Sequence, residues 1–244
     1  MIAAVLAAAL AALPDGLVQD GEAAAYESMI LRTARAADAS FSGAPPCEAA
    51  GIEHLWRQPV KIADRPDFLA VRERVKLTGC GRSSVQNLNV GRTGGSPPWR
   101  MTFGLPGESF ADMPLQQSTL PAAMAQAAVD LPAGCQERRM ADVYVAARPG
   151  HVDAPPPGGA TPRSAAGRIA LELPADVEAQ RDRLDLARAW VEVWPITLCG
   201  QDRTTAVVFM PIKDQKASAY LFLPVWRQIQ AHGAGARPAP APPE

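Results

Sequence analysis

The chain has little excess charge of either sign and no apolar run long enough to cross a bilayer. Its 24 Lys and Arg nearly balance 25 Asp and Glu, which leaves a formal net charge of −1. Such a balance gives no basic field to draw the chain to nucleic acid or anionic lipid, so no nucleic-acid partner is expected. The longest apolar run is "MIAAVLAAALAAL" at the N-terminus, ended by Pro14 and Asp15. A spanning helix needs about 20 such residues, so no transmembrane segment is expected once a leader is removed. Histidine is also scarce, at three residues. His54 sits in a strand-like run beside Trp56 and reads as a structural or surface residue. His151 and Asp153 share a loop with no third ligand nearby, and His232 lies near the C-terminal end.

Several motifs are missing as well. There is no C-x-x-C, no zinc-type Cys/His spacing, no G-x-G-x-x-G, no G-x-S-x-G, no H-E-x-x-H and no EF-hand loop. "Gly91-Arg92-Thr93-Gly94-Gly95-Ser96" is glycine-rich, but it lies between two strand patterns and reads as a hairpin loop rather than a phosphate cradle. No cofactor and no metal site are therefore expected.

What is present points to export. The apolar start fits the core of a secretory signal, and Ala9-Leu10-Ala11 is an A-x-A-type cleavage candidate, although no Lys or Arg precedes the run. A signal peptide is expected over residues 1–20, with its end set near residue 20, and the location is expected to be periplasmic or secreted. No cysteine directly follows the run, which argues against a lipid anchor. The four cysteines, Cys47, Cys80, Cys135 and Cys199, then read as disulfide partners, with three possible pairings.

Two stretches choose among those pairings. "VKLTGCGRSS" ends at residue 84 and "PITLCGQDRT" at residue 204. In each, Cys-Gly follows a strand-like run, and a glutamate, Glu73 or Glu192, stands seven residues before the cysteine. Extended runs follow at 83–90 and 204–210, and then strands at 99–106 and 218–224, both ending in Leu-Pro. Helical patterns precede Cys47 (residues 22–38, with Tyr26, Ile30, Ala34, Ala37 and Phe41 in phase) and Cys135 (residues 118–130, with Ser118 as N-cap and Pro121 in the first turn). Short strands are expected at 51–56 and 141–147. The order helix, Cys, strand, insertion, strand ending in Cys-Gly, strand, strand occurs twice, as an internal repeat does.

The expected fold is therefore α+β, with two similar units, each a helix on a small antiparallel sheet with one disulfide. The first unit spans 21–115 and the second 116–230, with a Pro/Gly-rich loop at 148–167 and a charged helical stretch at 175–189. Residues 231–244 have the composition of a disordered tail. A bridge within each copy selects Cys47–Cys80 and Cys135–Cys199. The glycine after each cysteine marks a bend or bulge between strands, and Gly79 is expected to make room for the partner sulfur.

The stretch from Phe41 through Pro45-Pro46-Cys47 to Thr78-Gly79-Cys80-Gly81-Arg82 resembles a group of uncharacterised exported bacterial proteins. They carry an A-x-x-F-x-C-P stretch, a strand and then G-C-G-(K/R). The resemblance covers residues 30–90 and, more weakly, 125–210. Here proline precedes Cys47 instead of following it, and no aromatic follows Gly81. The resemblance implies an envelope or secreted location and no particular chemistry.

Function then reads as non-catalytic binding or interaction, with a protein or an envelope component as partner and no assigned catalytic residue. Two alternatives stand beside it. One is a hydrolase using Glu73 and Glu192, whose competing reading is two solvent-facing strand carboxylates beside Arg72, Arg74 or Arg188. The other is a partner-specific inhibitor acting through the 148–167 loop. Of Trp56, Trp99, Trp190, Trp194 and Trp226, most are expected in the core, with an exposed subset able to line a ligand surface.

Overall fold

In a computed structural model of the chain, the structure describes residues 13–61, 65, 67–93, 99–131, 137–153, 169–171 and 173–223. These form a mixed α/β fold with three helices and antiparallel sheets. The chain divides into two compact units. One comprises Met1–Glu108, Gly134–Val143 and Thr197–Gly200, and the other Ser109–Ala133, Tyr144–Ile196 and Gln201–Glu244.

In the first unit, α1 spans Ala23–Ser42. Its buried residues Tyr26, Ile30, Ala34 and Ala37 recur every three or four positions, which gathers them on one face. Gly43 ends the helix in the left-handed region (φ 67°), where glycine carries no Cβ penalty, and its N–H bonds the Ala39 carbonyl at 3.1 Å. Four antiparallel strands follow in sheet order: β1 (Gly51–Val60), β2 (Phe68–Gly79), β3 (Arg82–Thr93) and β4 (Arg100–Phe103). Strand alternation turns Val71, Glu73, Val75 and Leu77 inward and Arg72, Arg74 and Lys76 outward. Val71, Val75, Leu77, Leu88 and Val90 pack with the α1 stripe and with Leu17 into one core. Burial of each large aliphatic there stabilises by about 1.5–3 kcal/mol. Ile30→Ala would cost about 2–5 kcal/mol. The expected insertion at 58–72 is largely strand, because β1 runs on to Val60 and β2 starts at Phe68.

Gly79 pairs with Arg82, so Cys80 and Gly81 are the two central residues of a tight hairpin turn. Both have positive φ, 49° and 73°, the pattern of a type I′ turn, whose twist matches that of the strands. The motif is a turn, not a bulge. Gly79 serves a backbone contact, since a Cβ there would stand 2.6 Å from the Ala50 Cα. That close approach sets the Cys47–Ala50 turn against β2, and Cys47 and Cys80 form a disulfide with Cα atoms 6.0 Å apart. The bridge closes a 33-residue separation, worth about 4 kcal/mol by chain entropy.

The second unit opens with α2, Met113–Ala127. It starts five residues earlier than the sequence pattern indicates. Asp112 is the N-cap, accepting from Leu115 N at 2.9 Å, and Pro114 sits in the first turn where no N–H is needed. Ser118 is not the cap, and Pro121 is interior. Strand β5 (Arg138–Met140) falls in the first unit, and β6 (Tyr144–Ala147), β9 (Trp190–Leu198), β10 (Gln201–Pro211) and β11 (Ser218–Leu223) follow in a second antiparallel sheet, with β9 between β10 and β6. A short parallel pair, β7 (Val152–Asp153) and β8 (Ile169–Ala170), stands apart. The charged stretch expected to be helical at 175–189 forms only a single turn, α3 (Ala175–Glu178), and two 3-10 turns at 181–183 and 186–188. The core of this unit gathers Val191, Val193, Ala206, Val208 and Met210 with Leu171 and Leu184. At the β9–β10 junction Cys199 and Gly200 again take positive φ, 48° and 73°. Cys199 is disulfide-bonded, while Cys135, its expected partner, lies outside the described residues.

Candidate functional site

The two glutamates singled out by their spacing are not solvent-facing. Glu73 and Glu192 are both completely buried. An isolated buried carboxylate is costly, so the partners of each decide what it does.

Glu73 lies on the inward face of β2 beneath α1. Tyr26 donates its hydroxyl to Oε1. His54 Nδ1 stands 3.1 Å from Oε2. Arg57 Nε lies 3.0 Å from Oε1 as an ion pair without hydrogen-bond alignment. The network continues outward to α1, where Glu27 takes His54 Nε2 at 2.7 Å and Arg57 Nη2 at 3.1 Å. Arg57 also lies over the Tyr26 ring, 5.9 Å from its centre. Two carboxylates therefore balance one guanidinium and one imidazolium. Burial opposes the His54 charge, but the hydrogen bonds to Glu27 and Glu73 outweigh it, and the imidazole is pushed up to about 9. Arg57 Nη2, 3.0 Å from Nδ1, works against that charge. Burial would raise the Glu27 carboxyl, yet the bonds to His54 and Arg57 bring it below its ordinary value. Burial and the Glu73 charge push the Tyr26 phenol well above its usual range, so it remains a neutral donor. His54 thus has a structural part, as its sequence context indicates. Tyr26, Glu27 and Arg57 carry no sequence motif. The helical phase that buries Tyr26 was the sole signal for any of them.

Glu192 lies on β9, and neutral groups hold it. Phe110 N and Ala111 N donate to Oε1 at 2.8 and 3.1 Å, and Ser109 Oγ donates to the carboxylate at 2.9–3.0 Å. Trp190 Nε1 and Trp194 Nε1 donate at 2.8 and 3.1 Å. Gln116 Nε2 donates to the Ala111 carbonyl at 2.9 Å and ties the same turn to α2. The arrangement clamps the turn before α2 onto β9. The Ser109 hydroxyl thus serves as a donor to this carboxylate. Neither carboxylate is exposed to solvent.

Arg92, from the glycine-rich stretch expected as a hairpin loop, is buried near the end of β3. It pairs with Glu22 Oε1 at 3.2 Å, and its guanidinium lies 5.5 Å from the centre of the Trp99 ring. Trp190 and Trp194 are core residues, whereas Trp56 is 38 % exposed and neighbours Leu55, at 45 %. The Arg74 guanidinium lies over Trp56, 5.4 Å from the ring centre. His151 is exposed, and its Nδ1 lies 3.3 Å from the Pro149 carbonyl oxygen. No group of three or more candidate metal ligands occurs among the described residues. Trp226, His232, the tail from residue 231 and most of the 148–167 loop lie outside them. None of the described helices is long and apolar enough to cross a membrane. Compared with known proteins, the chain matches no family model, no curated protein and no solved structure.

Proposed function

We propose that the chain is an exported, non-catalytic binding protein of the periplasm or cell exterior, built from two copies of one helix-and-meander unit. Its binding face is the outer side of the first sheet. The observation that carries this reading is Trp56 and Leu55 exposed on β1, the edge strand, next to a cationic row on β2. Trp56 pairs across the strands with Arg74, and Gln58 with Arg72. Arg72, Arg74 and Lys76 share the face turned away from α1. A flat aromatic surface beside positive charge suits an anionic envelope polymer whose sugar rings stack on the indole. Export is supported by the Cys47–Cys80 disulfide, which persists in oxidising compartments. The duplication is supported by the strand order β6-β9-β10-β11 beside β1-β2-β3-β4, and by the paired positive-φ Cys-Gly turns. The hydrolase alternative loses ground because both carboxylates are committed to internal donors.

The test is co-sedimentation of the protein with purified acidic polysaccharide from the envelope of the exporting cell. Trp56→Ala and Lys76→Glu each weaken binding about tenfold or more in this reading. Binding that is absent in the wild type, or unchanged in both variants, contradicts it.

A further inference from the structure

The glycine-rich stretch that opens at Gly91 has a use on the outer face of the first sheet. Gly91 on β3 stands opposite Ala70 of β2 and Arg100 of β4. Opposed residues in a sheet share a face, and Ala70, Arg72, Arg74 and Lys76 alternate onto one, so Gly91 and Arg100 lie on the face turned away from α1. A Cβ on Gly91 would stand 2.2 Å from the Phe68 Cζ. The tip of the Phe68 ring therefore rests on the β3 backbone where any other residue would put its side chain. The Arg65 guanidinium lies over that ring, 5.4 Å from its centre. The same pairing occurs towards the other end of the face, where Arg74 lies 5.4 Å from the centre of the Trp56 ring. Phe68 and Arg74 are six residues apart on β2, which separates the two aromatic platforms by about 20 Å along the strand.

Positive charge joins the platforms. Arg72 lies between them on β2, and Arg100 stands beside Gly91. The side chains of Arg72, Lys76 and Arg100 make no ion pair or hydrogen bond among the described residues. The carboxylates nearby are Glu53, opposite Lys76, and Asp67, whose exposed pair with Arg65 at 3.6 Å takes little from that charge. We propose that Phe68 and Arg65 form a second subsite for the anionic envelope polymer, whose chain runs along β2 from Trp56 over Arg72 to Phe68. This rests on the outer face being the binding face, and it makes the ligand an extended run of several acidic sugars rather than a single sugar or a chain end. Acidic groups meet the arginines, a sugar ring stacks at each platform, and the missing Cβ of Gly91 seats the second one. Each contact alone is weak. Joined on one chain they reinforce each other, because engaging the second becomes intramolecular once the first is made.

The test is calorimetric titration with disaccharide and decasaccharide fractions cut from the acidic polysaccharide of the exporting cell's envelope. The wild type is compared with Trp56→Ala, Phe68→Ala and Arg65→Ser. The wild type is expected to bind the longer fragment about tenfold or more tighter than the shorter. Phe68→Ala and Arg65→Ser each remove most of that advantage and leave disaccharide binding within about twofold, whereas Trp56→Ala weakens both fragments. Wild-type affinity for the decasaccharide in both Phe68→Ala and Arg65→Ser overturns the second subsite, and a loss in Trp56→Ala then leaves the binding face standing. An equal loss for both fragments in Phe68→Ala, with none in Arg65→Ser, makes the ring a prop for β3 and also overturns the subsite. No binding of either fragment by the wild type overturns the subsite and the binding face together.

Discussion

Glu73 and Glu192 occupy the same place in two stretches of sequence, seven residues ahead of a Cys-Gly turn, and each is fully buried. Their environments differ in kind. Glu73 is surrounded by a phenol that stays neutral, a guanidinium that stays charged and one group that titrates, the His54 imidazole, with Glu27 completing the charge balance. Glu192 is surrounded by two backbone amides, a hydroxyl and two indoles, none of which titrates near neutral pH. One backbone position can therefore keep a buried carboxylate in two ways. The first makes the anchor depend on pH. The second makes it depend on the turn geometry that presents the amides.

The largest effect that tests this contrast is Glu192→Ala. It removes the common acceptor of five donors; Ala111 N keeps Ser109 Oγ at 3.1 Å and Ser109 Oγ keeps the Ala111 carbonyl at 3.5 Å, while the Phe110 amide and the two indoles lose the carboxylate. A loss of about 4 kcal/mol or more is expected in chemical denaturation. Removal of the Cys47–Cys80 bridge by paired serine substitution follows, at about 3–4 kcal/mol and confined to the first unit, read by the same titration. Glu73→Ala is expected to cost less than Glu192→Ala, about 2–3 kcal/mol, because His54 can release its proton and Glu27 still neutralises Arg57. A larger loss from Glu73→Ala than from Glu192→Ala would reverse the comparison. The smallest effect on stability is that of Trp56→Ala, within about 0.5 kcal/mol, since the ring is partly in solvent. Its consequence belongs to binding.

Much of the scaffold was legible because it follows local rules. The α1 stripe has helical period, and β2 alternates so regularly that Glu73 had to share a face with Val71 and Val75. That alternation places the carboxylate inside, whereas its charge alone points to the surface, and in the folded sheet the period prevails. The start of α2 was missed because Ser118 looked like a cap, while Asp112 followed by Pro114 two positions later is the stronger signal. The stretch at 175–189 has helix-forming composition but breaks at Leu184, which turns inward to bridge Ile212. Partners such as Tyr26, Arg57 and Ser109 were not legible, because they meet their glutamates across 47, 16 and 83 residues of chain respectively. Only the folded sheet brings them together.

The most direct measurement is thermal stability against pH for the wild type, His54→Gln and Glu192→Gln. The folded His54 imidazole sits near 9, above its unfolded value of about 6.5. Its contribution is therefore complete below about pH 6.5 and is lost as pH rises through 9. The Glu27 carboxyl is shifted the other way, so its contribution is present above about pH 4.5 and fades in acid. The account predicts that the wild type loses about 1–3 kcal/mol more than His54→Gln between pH 6.5 and 9.5. Glu192→Gln, though less stable throughout, should keep the wild-type slope. Equal slopes for the wild type and His54→Gln, or a flattened slope in Glu192→Gln, would contradict the division between a carboxylate held by a titrating imidazole and one held by neutral donors.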